Sequence, residues 1–111
     1  MQNVKVFIRH GQHTSTWKLV VAELKERGIK VETKFKPCDV GLVLSGTYTN
    51  PSLFKKSYLF FNKREWSGLW ETMFSPVLQE YYTVMFDMTM FDLKQVAGLI
   101  EDTYNNEINQ P

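Results

Sequence analysis

An α/β domain built on one parallel, five-stranded sheet is the fold class that the sequence predicts, and two stretches predict it. Residues 4–28, VKVFIRHGQHTSTWKLVVAELKERG, run from a short apolar strand through a Gly/Ser/Thr-rich turn into an amphipathic helix closed by glycine. Residues 40–45, VGLVLS, form a continuous apolar run, as a central parallel strand buried on both faces requires. No hairpin signal joins the strands, so the connections are crossovers and helices cover the sheet.

Taken in order, residues 4–8 are the first strand, and Thr14 or Ser15 caps the helix after it. Trp17, Val20, Val21 and Leu24 recur at i, i+3, i+4, i+7, Glu23 and Arg27 are an i, i+4 pair, and Gly28 is the C′ stop. Residues 29–35, IKVETKF, alternate apolar and charged side chains and so predict a half-exposed strand at a sheet edge, where its charges discourage pairing with a foreign strand. The third strand is 40–45, ended by the turn GTYTNP. A short helix is expected at 52–56, a fourth strand at 57–61 (SYLFF) and a polar loop at 62–65. Trp66, Leu69, Trp70 and Met73 make a helical stripe that Pro76 interrupts near Ser75. Residues 82–88 are the fifth strand. Asp92 caps a last helix with a core face of Leu93, Val96, Ala97, Ile100 and Tyr104. Residues 1–104 thus make a single domain, and 105–111 are expected to fray.

The charged second strand suits an edge and the apolar first and third strands suit the middle, which gives the order 2-1-3-4-5 in a three-layer α/β/α domain of flavodoxin- or Rossmann-like type. Such sheets bind ligands outside the carboxyl ends of the strands, where the order reverses. Here that places Arg9, His10, Gly11, Gln12, His13, Thr14 and Ser15 on one side of a crevice and Gly46, Thr47, Tyr48 and Asn50 on the other. The free N–H groups of the helix start and the neighbouring arginine favour a phosphate, nucleotide or carboxylate. The spacing matches neither GxGxxG nor a Walker loop.

A chain of 111 residues is one domain's length, and its single cysteine, Cys38, excludes an internal disulfide. The N-terminus lacks the apolar core of a signal peptide and no run approaches the roughly 20 apolar residues of a membrane span, so a cytoplasmic protein without membrane contact is expected. The net charge of +1 hides a division: residues 1–65 hold twelve Lys/Arg against five Asp/Glu, a net +7, and residues 66–111 hold one against seven, a net −6. A domain so polarised attracts an oppositely charged partner or a second copy of itself. Residues 66–90 also carry more ring and thioether area than one helix and one strand readily bury, which marks Trp66, Trp70, Met73, Phe74, Tyr81 and Tyr82 as an interaction surface.

RHGQ at residues 9–12 resembles the histidine phosphatase signature, on which His10 is the nucleophile and Arg9 a phosphate clamp. That family also needs a distant second histidine, and the one other histidine here, His13, lies in the same loop, so this activity is not expected. The strand, turn and ERG-ended helix are similar to the first βα unit of TIR-like and nucleoside deoxyribosyltransferase-like domains, and together with CDVGLVLSG to the N-terminal half of two-domain glycosyltransferases. The first resemblance implies a catalytic glutamate, for which Glu65 and Glu71 are nearest by position. The second implies a sugar nucleotide held mainly by a further domain.

Other clusters point to structure. His10 and His13 lack a Cys/Asp/Glu cluster for a metal, Cys38 reads as a small buried hydrophobe, and Lys55-Lys56 with Lys63-Arg64 flank a buried strand rather than forming a nucleic-acid surface. The expected function is therefore a small, non-catalytic α/β binding or regulatory module acting on a protein partner or as a homo-dimer, a phage-type or accessory inhibitor being one form. It requires no cofactor and no catalytic residue. The alternatives are a phosphate- or nucleotide-binding domain and a glycosyl- or ribosyl-transfer enzyme fragment.

Overall fold

The computed structural model describes residues 2–8, 15–44, 53–61, 82, 84–88 and 90–110. Its elements are β1 (Val4–Ile8), α1 (Ser15–Glu26), β2 (Val31–Glu32), β3 (Cys38–Leu44), β4 (Phe54–Phe61), β5 (Val84–Asp87) and α2 (Leu93–Ile108). Every strand pair is parallel, and the order is β2-β1-β3-β4-β5, as the edge and centre assignments predict.

The apolar runs lie in the middle of the sheet. β1 and β3 pair from Val4↔Val40 to Ile8↔Leu44, and β3 passes the register to β4 from Cys38↔Phe54 to Leu44↔Phe60. Side chains alternate between faces. Val6, Val40, Leu42, Leu44 and Phe60 are wholly buried with Trp17, Val20 and Leu24 of α1 and Ala97 and Ile100 of α2, while Val43 and Leu59 are wholly buried with Phe61 and Tyr82 in a second cluster. Burial on both faces is why neither strand alternates in sequence.

Local signals fix the helix ends. Gly28 adopts φ +81, its N–H donates to Lys25 O at 3.0 Å, and the Ile29 N–H reaches back to Leu24 O at 2.9 Å, the paired bonds of a Schellman stop. At the start of α2 the Asp92 carboxylate accepts from Gln95 N–H at 2.8 Å and the Gln95 side chain accepts from Asp92 N–H at 3.1 Å, a reciprocal capping box. The two helices lie side by side on one face. Arg27 joins them, with Nη1 3.1 Å from Glu101 Oε1 and Nη2 3.2 Å from Glu23 Oε1.

Five expected boundaries shift. The strand expected at 29–35 shortens to Val31–Glu32, because it pairs with β1 only at Val6↔Val31 and Phe7↔Glu32, and Phe35 then leaves the ladder to stack on Phe7 at 5.0 Å. β3 starts at Cys38, two residues before the expected start, since Asn3 O accepts the N–H groups of Asp39 and Val40 at 3.0 and 3.1 Å. Where a short helix is expected at 52–56, residues 54–56 are already strand, and the Phe54 ring sits on Gly41 and stacks on Phe7 at 5.5 Å. The C-terminal tail does not fray at 105: α2 continues to Ile108, held by the buried Glu107. The fifth strand covers Val84–Asp87 of the expected 82–88. The expected stripe of Trp66, Leu69, Trp70 and Met73 and the break near Ser75 and Pro76 lie outside the described residues.

Candidate functional site

At the carboxyl ends of the strands, β1 and β3 stand side by side, and the strands that follow them in sequence, β2 and β4, lie on opposite sides of that pair. Ser15 is the first residue of α1. Arg9, His10, Gly11, Gln12, His13, Thr14, Gly46, Thr47, Tyr48 and Asn50, expected to line this crevice, lie outside the described residues. So do Trp66, Trp70, Met73, Phe74 and Tyr81 of the expected interaction surface, together with Glu65, Glu71, Lys63 and Arg64. Tyr82 is described, and it is buried at 5% exposure against Val43, Leu59 and Phe61.

The β2 edge presents a groove instead. Val21 and Lys25 of α1 and residues 28–31 line a hollow of about 420 Å³ between the helix and the last strand of the sheet. Ile29 is buried and Val21 and Val31 are half-buried against the core, so the floor is aliphatic. Lys25 and Lys30 are exposed on its rim, and Lys18 and Lys34 are exposed nearby in sequence. None of these four lysines has an ion pair among the described residues. Lys5 and Lys36 differ, since both engage Glu32, at 3.1 and 3.4 Å, and Lys5 foremost holds that carboxyl below its ordinary range.

The amino ends of the strands hold a tight polar cluster. Glu107 Oε1 accepts from Lys56 Nζ at 2.7 Å and from the Tyr58 hydroxyl, and Gln2 Nε2 donates at 3.1 Å to both Glu107 Oε2 and Glu107 O. Lys56 Nζ also lies 5.3 Å from the centre of the Tyr58 ring. Burial pushes the Glu107 carboxyl up, but the bonds from Lys56, Tyr58 and Gln2 outweigh it and hold the group below its ordinary range. The bond to Glu107 raises Lys56, and burial followed by that same bond raises Tyr58. All three shifts lead away from neutrality. A general acid or base works best near the operating pH, so this cluster is a clamp rather than a proton shuttle.

Beside it, residues 37–39 and 53–55 line a hollow of about 330 Å³. Asp39 accepts the Asn3 N–H at 2.9 Å and faces Lys55 Nζ at 3.5 Å, and the Asn3 bond foremost lowers its carboxyl. Lys55 and Lys56 are therefore both engaged by acids of this chain, and they lie within β4 rather than flanking it as solvated charges. Burial pushes the Cys38 thiol up to about 11, and the thiol donates to Val40 O at 3.2 Å.

Sequence reasoning missed Glu107 by placing it in a fraying tail. The signal was present: Ile100, Tyr104 and Glu107 continue the helical spacing of the core face by steps of four and three. Among the described residues no group of three or more His, Cys, Asp or Glu is placed to hold a metal, and no helix is long and apolar enough to cross a membrane. Comparisons with protein-family models, curated proteins and solved structures gave no match.

Proposed function

We propose that this chain is a small, non-catalytic α/β binding module, three-layered in the flavodoxin manner, that acts in the cytoplasm by associating with another protein or with a second copy of itself. One observation carries the reading: of the five described lysines without a described ion pair, four belong to α1 and to residues 30–34 around β2, and the fifth, Lys94, lies in α2. The +7 half of the sequence supplies β2 and α1, with Lys18, Lys25, Lys30 and Lys34 free of described anionic partners, whereas the −6 half supplies β5 and α2. Opposed charge at separate parts of a surface steers encounter and fixes orientation. Burial of Val43, Leu59 and Tyr82 on the face away from α1 and α2 supports a covering layer there, the third layer of the arrangement.

Light scattering after size exclusion, at low and high salt, tests the reading together with capture of a partner from extract of the source cell. We expect either self-association that weakens with salt or a retained partner that is lost on Lys25→Glu with Lys30→Glu. A strict monomer that retains nothing at low salt overturns it.

A second reading, a phosphate or nucleotide held where the strand order reverses, is favoured by the adjacency of β1 and β3. Phosphate or nucleotide should then raise the melting temperature, and Arg9→Ala should abolish the rise. Equal shifts in both proteins reject it.

A further inference from the structure

Three features meet at the β2 edge. β2 ends the sheet and, among the described residues, pairs only with β1, so its outer N–H and C=O groups have no strand beside them. The groove beside that edge has an aliphatic floor of Val21, Ile29 and Val31. Its rim carries Lys25 and Lys30, both exposed and without described ion partners.

We infer that this edge accepts an extended acidic peptide segment of a partner protein as an added strand, seated in the groove between β2 and α1. The inference rests on the association reading above and adds to it the partner's chemistry and its backbone geometry. Main-chain bonds to an open edge supply affinity without regard to sequence, and alternate side chains of the added strand supply the selection. Here the aliphatic floor takes apolar side chains and the lysine rim takes carboxylates.

The same lysines explain why β2 is not a general aggregation edge. Charge beside a short edge strand repels another copy of that edge, whereas an acidic strand meets Lys25 and Lys30 on the rim, the one acid of β2, Glu32, being held by Lys5 and Lys36. A second copy of this chain is also a poor occupant. Of its nine described acids five are already in ion pairs and Asp92 serves a cap; Glu26 and Asp102 lie in helices, and β5 offers a single acid, Asp87. A nucleic acid would satisfy the lysines but not the floor, whose described lining has no ring for a base to stack on.

The test uses the full chain and a short capped peptide alternating Glu with Val, followed by fluorescence anisotropy and by amide hydrogen exchange at residues 31–33. Two controls accompany it: the same peptide with Lys for Glu, and the acidic peptide N-methylated at alternate backbone nitrogens, which keeps its charge but removes donors. Binding of the acidic peptide should slow exchange at β2. It should weaken about tenfold or more at raised salt and in the Lys25→Glu/Lys30→Glu protein. N-methylation should weaken it about tenfold on the wild-type protein, a comparison that stands whether or not the double variant folds. Absence of binding, equal binding of the Lys or N-methylated peptide, unchanged exchange at β2, or displacement of the peptide by single-stranded DNA at lower concentration overturns the proposal. If any of these occurs while light scattering or extract capture still shows salt-sensitive association, strand addition fails and the association reading stands; a monomer that retains nothing rejects both.

Discussion

Lys56 Nζ lies 2.7 Å from Glu107 Oε1, and the Tyr58 hydroxyl donates to the same oxygen, so the last turn of α2 is fastened to β4. Gln2 adds the segment before β1 to that fastening. Glu107 is buried at 4% exposure, and Lys56 keeps its own charge partly in water, with 41% of its side chain exposed. The carboxylate is therefore the member whose loss leaves a buried group unpaired.

Glu107→Ala should cost about 1–3 kcal/mol, chiefly because the buried Tyr58 hydroxyl loses its acceptor. The pH dependence has two limbs. Glu107 titrates lower in the folded chain than in the unfolded one, where a glutamate titrates near about 4.3, so its contribution is complete above that value and is lost as pH falls through the folded value. Lys56 and Tyr58 are raised, so their contributions are complete below about 10, where the unfolded groups begin to titrate, and are lost as pH rises through the folded values. Urea denaturation across pH should show both limbs, and Glu107→Gln should flatten the acid one. An unchanged acid limb in that variant would show that other carboxylates govern it.

A second dependence joins Gly41 to Phe54. A Cβ at Gly41 would stand 2.8 Å from three atoms of the Phe54 ring, and the ring cannot simply retreat because it also stacks on Phe7 at 5.5 Å. Gly41→Ala should cost about 1–3 kcal/mol by overpacking, and Phe54→Leu in the same chain should recover part of the loss. Additive losses in the double variant would reject the clash as the cause.

The strand order and the bounds of β1 were legible in the sequence and the lengths of the other strands were not, for physical reasons that particular residues show. Val40, Leu42, Val43 and Leu44 form an apolar run that only a strand buried on both faces can use, and Lys30, Glu32 and Lys34 belong where one side of the sheet is open. Those two facts nearly determine the order. Length depends on partners distant in sequence: Phe35 leaves the edge because Phe7 offers a ring, and Phe54 joins β4 because Gly41 offers a flat seat. Neither neighbour is visible from local pattern. Glu107 was misjudged for a related reason, since a charged residue near a chain end reads as solvated until Lys56 and Tyr58, about fifty residues away, are brought to it. The groove at β2 was half legible. The lysine alternation marked an exposed edge, but the hollow beside it exists only because Gly28 turns the chain from α1 directly into Ile29.

Val43 and Lys30 separate centre from edge. Val43 is wholly buried in the second cluster, so Val43→Ala should cost about 2 kcal/mol or more through the cavity left behind. Lys30 is exposed without a described ion partner, and Lys30→Ala should change stability by less than about 0.5 kcal/mol. Chemical denaturation of both variants measures the contrast. Similar losses would contradict the placement of β2 at the edge.

Cys38 opens β3 and is the only cysteine of the chain, which makes its reactivity easy to read. Burial pushes its thiol up to about 11, a shift that nearby Lys5 opposes without reversing, and the thiol is further engaged as a donor to Val40 O. Alkylation needs the thiolate, whose population at pH 8 falls by roughly a hundredfold or more between an ordinary thiol of about 8.5 and one near 11. Iodoacetamide should therefore label the native chain roughly a hundredfold more slowly than the chain in urea. Cys38→Ala should leave partner binding at β2 unchanged, because the residue lies at the amino end of β3, away from the groove that Val21, Lys25 and Val31 line. Equal labelling rates in the native and unfolded chains would mean that the start of β3 opens readily to solvent, and that the Asn3 bonds to Asp39 and Val40 do not hold it closed.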